Sequence, residues 1–383
     1  MEVILSKKEC CANKKTSIGG QALIEGIMMR GPKVTAMAVR NPEGEIVLEK
    51  WETQTSVKSK FFKLPIIRGV FGFIDSMRFG YKCLMRSAQI SGLDDLEEEA
   101  KREKAQKKAE KARKKALKKG ISPEEAEPSE QSVEAKAVSE ETPSEEGASE
   151  TNAEEKKSSD ALMNFIMVIA MVIGVALSVT LFIMLPTFIY DWLSGLFPFL
   201  RPENPALRSL AKSVFEGVLK IVILVGYMAL VSLMKDIRRT FQYHGAEHKT
   251  IFCYEHGKEL TVENVRGERR FHPRCGTSFL ILMLIVSVFI SFLVDPISIL
   301  ITGAVPPTWL RAIIKLLLLP IIMGLGYELI KLAGRHDNLF TRIISAPGLW
   351  LQHLTVFEPT DDMIECAITA FKEVIPEDNS DNY

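Results

Sequence analysis

Histidine and cysteine are scarce in this chain, with six of each in 383 residues. Six histidines exclude an eight-histidine di-iron membrane oxygenase. No two cysteines form a CxxC pair, which fits a reducing compartment. Cys10 and Cys11 are adjacent and do not readily bridge each other, so all six cysteines read as free thiols or metal ligands. No P-loop and no dinucleotide glycine fingerprint is present. Met1–Lys15 has no apolar core of signal-peptide type. Net charge is absent too: 48 Lys+Arg balance 48 Asp+Glu. That excludes a grossly basic nucleic-acid binder, and no nucleic-acid partner is expected.

The zero is a cancellation. Residues 94–157 hold 14 basic and 19 acidic side chains, against 34 and 29 in the remainder. Outside that insert, charge is missing over long stretches. Ala161–Tyr190 and Cys275–Val294 carry none. About 20 predominantly apolar residues span a bilayer as a helix, so these runs exclude an ordinary soluble enzyme. Ser213–Met234 and Trp309–Ile330 read as two further spans, although Glu216, Lys220, Arg311, Lys315 and Glu328 fall within them. Glu216 and Lys220, at i,i+4, read as an ion pair or as snorkelling side chains. Lys/Arg bias orients the spans. Segment 235–276 holds nine Lys/Arg, 186–212 three and 296–308 none. Residues 1–160, 235–276 and the C-terminal tail are therefore expected in the cytoplasm, with the protein multi-pass in the cell membrane.

Four regions follow. Residues 1–93 read as a β unit plus an amphipathic helix. Gln21–Met29 is a short apolar stretch broken by Glu25 and Gly26, and Thr35–Arg40 and Glu45–Lys50 read as strands around the turn Asn41-Pro42-Glu43-Gly44. Over 64–88, Ile67, Phe71, Ile74, Met77, Tyr81 and Leu84 recur at helical spacing, with Arg78, Lys82 and Arg86 beside them. Such a helix suits an anionic membrane surface, or packing on the β unit. Residues 94–159 read as a disordered charged tether. Residues 160–335 hold the four spans. Residues 336–383 contain a turn at Ala346-Pro347-Gly348, an apolar stretch Leu349–Phe357 and a helix Asp361–Val374 that packs on the β unit.

Chemistry concentrates where the histidines do. Tyr243-His244-Gly245-Ala246-Glu247-His248-Lys249 follows the second span and reads as its continuation. His244 and His248 then share a helical face and can share one metal. Glu247 between them is placed as in H-x-x-E-H metallopeptidases, where it serves as a ligand, an orienting group or a general base. Phe271-His272-Pro273-Arg274-Cys275-Gly276 returns to the same membrane face just before the third span. His272 and Cys275 complete a set suited to a divalent cation, Zn²⁺ first. The bland alternative is a group of interfacial polar residues. Glu328, near the inner end of the fourth span, could face this site.

Residues Gly19–Pro32, Tyr243–Lys249, Leu260–Arg266 and His272–Phe279 together resemble the YqhQ-like family. The family is bacterial, with plastid relatives in plants, and has no established function. It is commonly labelled as metal-dependent enzymes, so the resemblance implies an enzyme without naming a reaction. It also draws attention to Gln21, Glu25 and Arg30, a polar set in an apolar strand that could dock on the histidine site and contact substrate.

The expected fold is mainly α: a membrane protein with four transmembrane helices and a small α+β cytoplasmic domain formed from N- and C-terminal segments. His244, His248, His272 and Cys275 are expected to hold the metal, with Glu247 as base. Gln21, Glu25, Arg30, Arg274 and Glu328 are expected to touch substrate or the ligands. Hydrolysis of a membrane-associated substrate leads. A non-catalytic adaptor with a structural metal and a transporter are the alternatives. Membrane lipid is the expected partner, with a cytoplasmic protein and a second copy of the chain also open.

Overall fold

The computed structural model describes residues 15–53, 64–92, 169–336, 338–378 and 380–381. The tether expected over 94–159 lies outside the described residues. Four strands, β1 (Gly19–Leu23), β2 (Gly26–Arg30), β3 (Val34–Arg40) and β4 (Ile46–Glu52), form an antiparallel meander in chain order. The break expected at Glu25-Gly26 within Gln21–Met29 is a hairpin turning at Ile24-Glu25, with Glu25 at φ +50°. The β3–β4 turn falls on the expected tetrapeptide: the Asn41 side chain accepts from the Glu45 N–H, and Gly44 takes φ +91°.

Strand side chains alternate between the two faces, and both faces are covered. Ile27, Met29, Ala36 and Ala38 enter one core with Tyr243, Ala246, Met363, Ile364 and Phe371. Leu23, Met28, Met37 and Val39 enter another with Cys83, Phe79 and Trp51. This double cover explains why the strands lack the polar alternation of a half-exposed sheet. The second face is covered by α1 (Ile67–Ile90), with Gly80 against Gln21 and Cys83 in the shared core. Its apolar stripe Phe71, Ile74, Met77 and Tyr81 points outward and stays exposed. The packing reading of this helix therefore holds for one face, and the other is an exposed apolar stripe.

Among the described residues, three helical stretches are long and apolar enough to cross a membrane. The first, Ile169–Leu196, includes a π turn at Thr180–Met184 and ends as α2 (Leu185–Leu196). It runs through Pro186. Proline is tolerated there because the π turn already breaks the regular bonding pattern and Pro186 opens α2. The second lies in α3 (Pro205–Ser232). That helix does not continue into the histidine segment. Met234 is extended, and α4 (Lys235–Glu255) starts afresh with Asp236 in its first turn, where a negative charge suits the dipole. A short helix, α5 (Val262–Arg266), follows. The third stretch is α6 (Gly276–Thr302).

The expected fourth span is a bent pair, α7 (Thr308–Leu317) and α8 (Leu319–Arg335), meeting at 44° just before Pro320. The turn expected at Ala346–Gly348 does not form. Pro347 lies inside α9 (Leu339–Thr355), which opens with a reciprocal Asn338–Thr341 cap. Gly348 lets α9 press against α6, since a Cβ there would meet Ser278 at 2.4 Å. The last helix, α10 (Asp361–Lys372), closes the core over β2 and β3.

Charges among the apolar helices pair across helices rather than along them. Glu216 on α3 meets Lys315 on α7 at 2.6 Å, not Lys220 one turn away. Arg311 meets Asp295 of α6 at 2.6 Å. Glu328 is held by Arg68 at the start of α1, at 2.5 and 2.7 Å, rather than by the histidines.

Candidate metal centre

One face of α4 builds the centre. His244 and His248 are one turn apart, with ring centroids separated by 4.4 Å. Cys275 caps α6 and accepts from the Thr277 N–H. One ligand atom from each of these three residues lies within 4.8 Å of the others. His244 Nε2 is 3.1 Å from Cys275 Sγ. Backbone carbonyls fix both rings: His244 Nδ1 bonds to Thr355 O at 3.0 Å, and His248 Nδ1 to Arg270 O at 2.5 Å. Outer-nitrogen bonds of this kind orient metal-ligating histidines and leave the other nitrogen for the ion. Gly245 makes the first possible. A Cβ there would lie 2.0 Å from the Phe357 carbonyl oxygen, so only glycine lets α4 approach the end of α9.

Glu247 is buried beside the cluster and accepts from the Gly20 N–H at 3.0 Å. Gly20 is constrained as well, because a Cβ would fall 3.0 Å from Glu247 Cδ. Burial raises the Glu247 carboxyl above its usual range, against the opposing pull of His244 and His248. For Cys275, burial opposes ionisation, yet His244 and His248 hold the thiol well below its ordinary value. For His244, burial opposes the imidazolium, and the Cys275 charge outweighs it, so His244 is raised. The histidines thus favour the thiolate form of Cys275, the form that ligates metals.

His272 stands apart from the three. Its Nε2 is 3.8 Å from Glu255 Oε2, and its Nδ1 accepts from the Arg274 N–H at 3.3 Å. Burial pushes it down to about 4, so it is neutral in the fold. Arg274 also pairs with Glu255 and donates to Thr16 O at 2.9 Å, while Glu255 accepts from the Thr16 N–H. Gln352 clamps the His272 backbone from both sides, accepting from its N–H and donating to its C=O at 2.8 and 2.7 Å. His272 and Arg274 thus belong to a neighbouring polar network that fastens the loop to the sheet's leading edge.

The polar set of the first hairpin reaches the same region only in part. Gln21 packs on α1, its Oε1 filling the space over Gly80. Arg30 pairs with Asp75 of α1 at 3.2 Å. Glu25 takes Arg239 of α4 at 2.5 Å through both oxygens. The strand touches the cluster through the Gly20 backbone instead.

A model of the family described as "Protein of unknown function (DUF1385)" matches residues 64–377. The chain belongs to the DUF1385 family. It is 31% identical to "Uncharacterized protein YqhQ" of Bacillus subtilis (strain 168) over 359 residues, covering 93% of this chain and 92% of that protein. No solved structure matches it. Within this DUF1385 chain, Glu255 is the functional-region residue that sequence reading missed. It follows His248 by seven positions and so lies on the face of α4 that carries both histidines. Gln352 and Thr355 gave no comparable signal, because only the packing of α9 on α6 brings them here.

Proposed function

We propose that this protein is an integral membrane protein with a divalent-metal centre on its cytoplasmic side, and that it acts there as a metal-dependent hydrolase on a membrane-associated substrate. The observation that carries the metal reading is the convergence of His244, His248 and Cys275 within 4.8 Å, with both outer ring nitrogens held by carbonyls. Ligand atoms around one tetrahedral Zn²⁺ stand about 3.3–3.8 Å apart, given bonds of about 2.0–2.3 Å, so the donor set fits with small adjustments. Three protein ligands leave a position open, as in catalytic zinc sites. A bound Zn²⁺ would supply Lewis acidity. Glu247 would hold and pass a proton beside the three ligands, with the Gly20 N–H fixing its carboxylate.

The test is elemental analysis of the purified full-length protein. About one equivalent of a divalent metal is expected, as for one three-ligand site, and His244→Ala with His248→Ala should remove it. Absence of stoichiometric metal from the wild type overturns the reading. Glu247→Gln should keep the metal and lose turnover by roughly 10²–10⁴-fold, the range for a general base.

Burial favours a second reading. His248, Cys275 and Glu247 are all buried, which also suits a structural metal in an adaptor. In that case Glu247→Gln leaves cellular function intact, while metal removal unfolds α4 and the loop to α6.

A further inference from the structure

One buried charge belongs to neither the metal centre nor an ion pair. Lys220 lies near the middle of α3, about 20 Å from either end at 1.5 Å per residue. It is 7% exposed. No lysine side chain snorkels that far, and a charge at such depth is costly unless something pairs with it. The carboxylate on its own helix is already used. Glu216 is 2% exposed, and its two oxygens accept from Thr187 at 2.8 Å and from Lys315 at 2.6 Å. Among the described residues, Lys220 forms no hydrogen bond or ion pair. Three charged side chains therefore meet here, two positive and one negative.

Lys220 also lines a cavity of about 340 Å³ between α3, α6 and the α7–α8 bend. Lys315 lines it as well, and apart from Ser287 and Ser291 the remaining wall is apolar, with Leu224, Leu284 and Ile322. A second apolar cavity, about 640 Å³, shares Ile183 and Lys315 with it and continues past Phe188 and Trp309. The shared Ile183 sits in the π turn, a local widening that often marks functional positions in helices. A lysine that merely shed its proton would need no cavity. An anion beside Lys220 would balance the cluster, and the apolar wall suits a chain attached to it. Ligand sites of this size are mostly apolar with a few placed polar groups.

We infer that this cavity binds a single-chain anionic amphiphile, its carboxylate or phosphate head on Lys220 and its chain along the apolar wall. This rests on reading the helices as membrane spans, and it does not depend on the metal centre.

The test uses full-length protein in a nonionic detergent and equilibrium binding of labelled oleate and hexadecyl phosphate. Oleyl alcohol, acetate and inorganic phosphate serve as comparisons. Saturable binding is expected for at least one of the two amphiphiles, and the tighter of them identifies the head. Oleyl alcohol and the free anions should bind at least tenfold more weakly. Lys220→Met should lower amphiphile affinity at least tenfold. It should leave the protein folded, because it replaces an unpaired buried charge with an apolar side chain of similar length. Leu284→Trp, which fills the cavity, should act likewise. Equal binding by Lys220→Met, by oleyl alcohol or by free phosphate overturns the proposal. Binding retained in His244→Ala with His248→Ala separates this site from the metal centre, and purification without detergent would refute the membrane reading instead.

Discussion

At the scale of single residues, the candidate centre is a set of side chains held by backbone atoms. His244 and His248 were legible because a helix fixes i,i+4 neighbours on one face, whatever surrounds it. Cys275 was legible because it sits beside glycine at the start of an apolar helix. The place of His272 was not, because it depends on Gln352 eighty residues away and on the Arg274–Glu255 pair. Its environment has a measurable consequence. Burial lowers His272 to about 4 in the fold from an ordinary value of about 6.5. The unfolded chain therefore binds more protons between those limits. The stability due to neutral His272 is present above pH 6.5 and is lost as pH falls toward 4, by up to about 3 kcal/mol. Glu255 is buried too, but His272 and Arg274 hold its carboxyl below the ordinary range, so its contribution fades only at lower pH. Thermal unfolding followed from pH 7 to pH 5 should show a steeper decline for the wild type than for His272→Asn. Parallel curves would mean that His272 is not held neutral.

At the scale of elements, the sequence pattern marks apolar faces reliably but not what they meet. α1 shows this most clearly. The periodic residues Phe71, Ile74, Met77 and Tyr81 face outward, and small side chains make the protein contacts. Small residues allow a close approach to Tyr327 and the sheet, since a Cβ on Gly69 would meet Tyr327 at 2.8 Å. The exposed stripe beside Arg78, Lys82 and Arg86 is then suited to the headgroup layer of an anionic membrane. Breaks are harder to read than faces. Pro186 and Pro347 lie within continuing helices, while α3 ends at Ser232 with no proline or glycine at the break. A helix tolerates proline when a π turn or packing replaces the lost bond. In membranes, a cysteine introduced as Ile74→Cys, with Cys10 and Cys11 replaced by serine, should resist a charged maleimide reagent. Lys82→Cys should label several-fold faster. Equal labelling would place the stripe in water.

At the scale of the whole molecule, one core constrains how the chain could cross a membrane. The sheet, α4 and α10 bury side chains against each other in a single cluster. All three must therefore lie on the same side of any membrane. Between the sheet and α4 stand two candidate spans, Ile169–Leu196 and Leu207–Ser232. Between α4 and α10 stand Gly276–Thr302 and the bent pair Trp309–Leu317 with Leu319–Ala333. Under the membrane reading proposed above, an even number of crossings in each interval would make the bent pair one span, for four rather than three among the described residues. Under the same reading the basic loop 235–276 would lie with the shared core on the cytoplasmic side, which its Lys/Arg bias favours. Charge neutrality over the full length conceals this arrangement, because the acidic stretch 94–157 cancels the basic remainder. An alkaline phosphatase fusion within 303–307 should be active in cells, and one at the C-terminus inactive. A fluorescent protein should report the reverse pattern. Activity at both positions would require α7 and α8 to form a re-entrant hairpin, and the shared core of sheet, α4 and α10 could not then form.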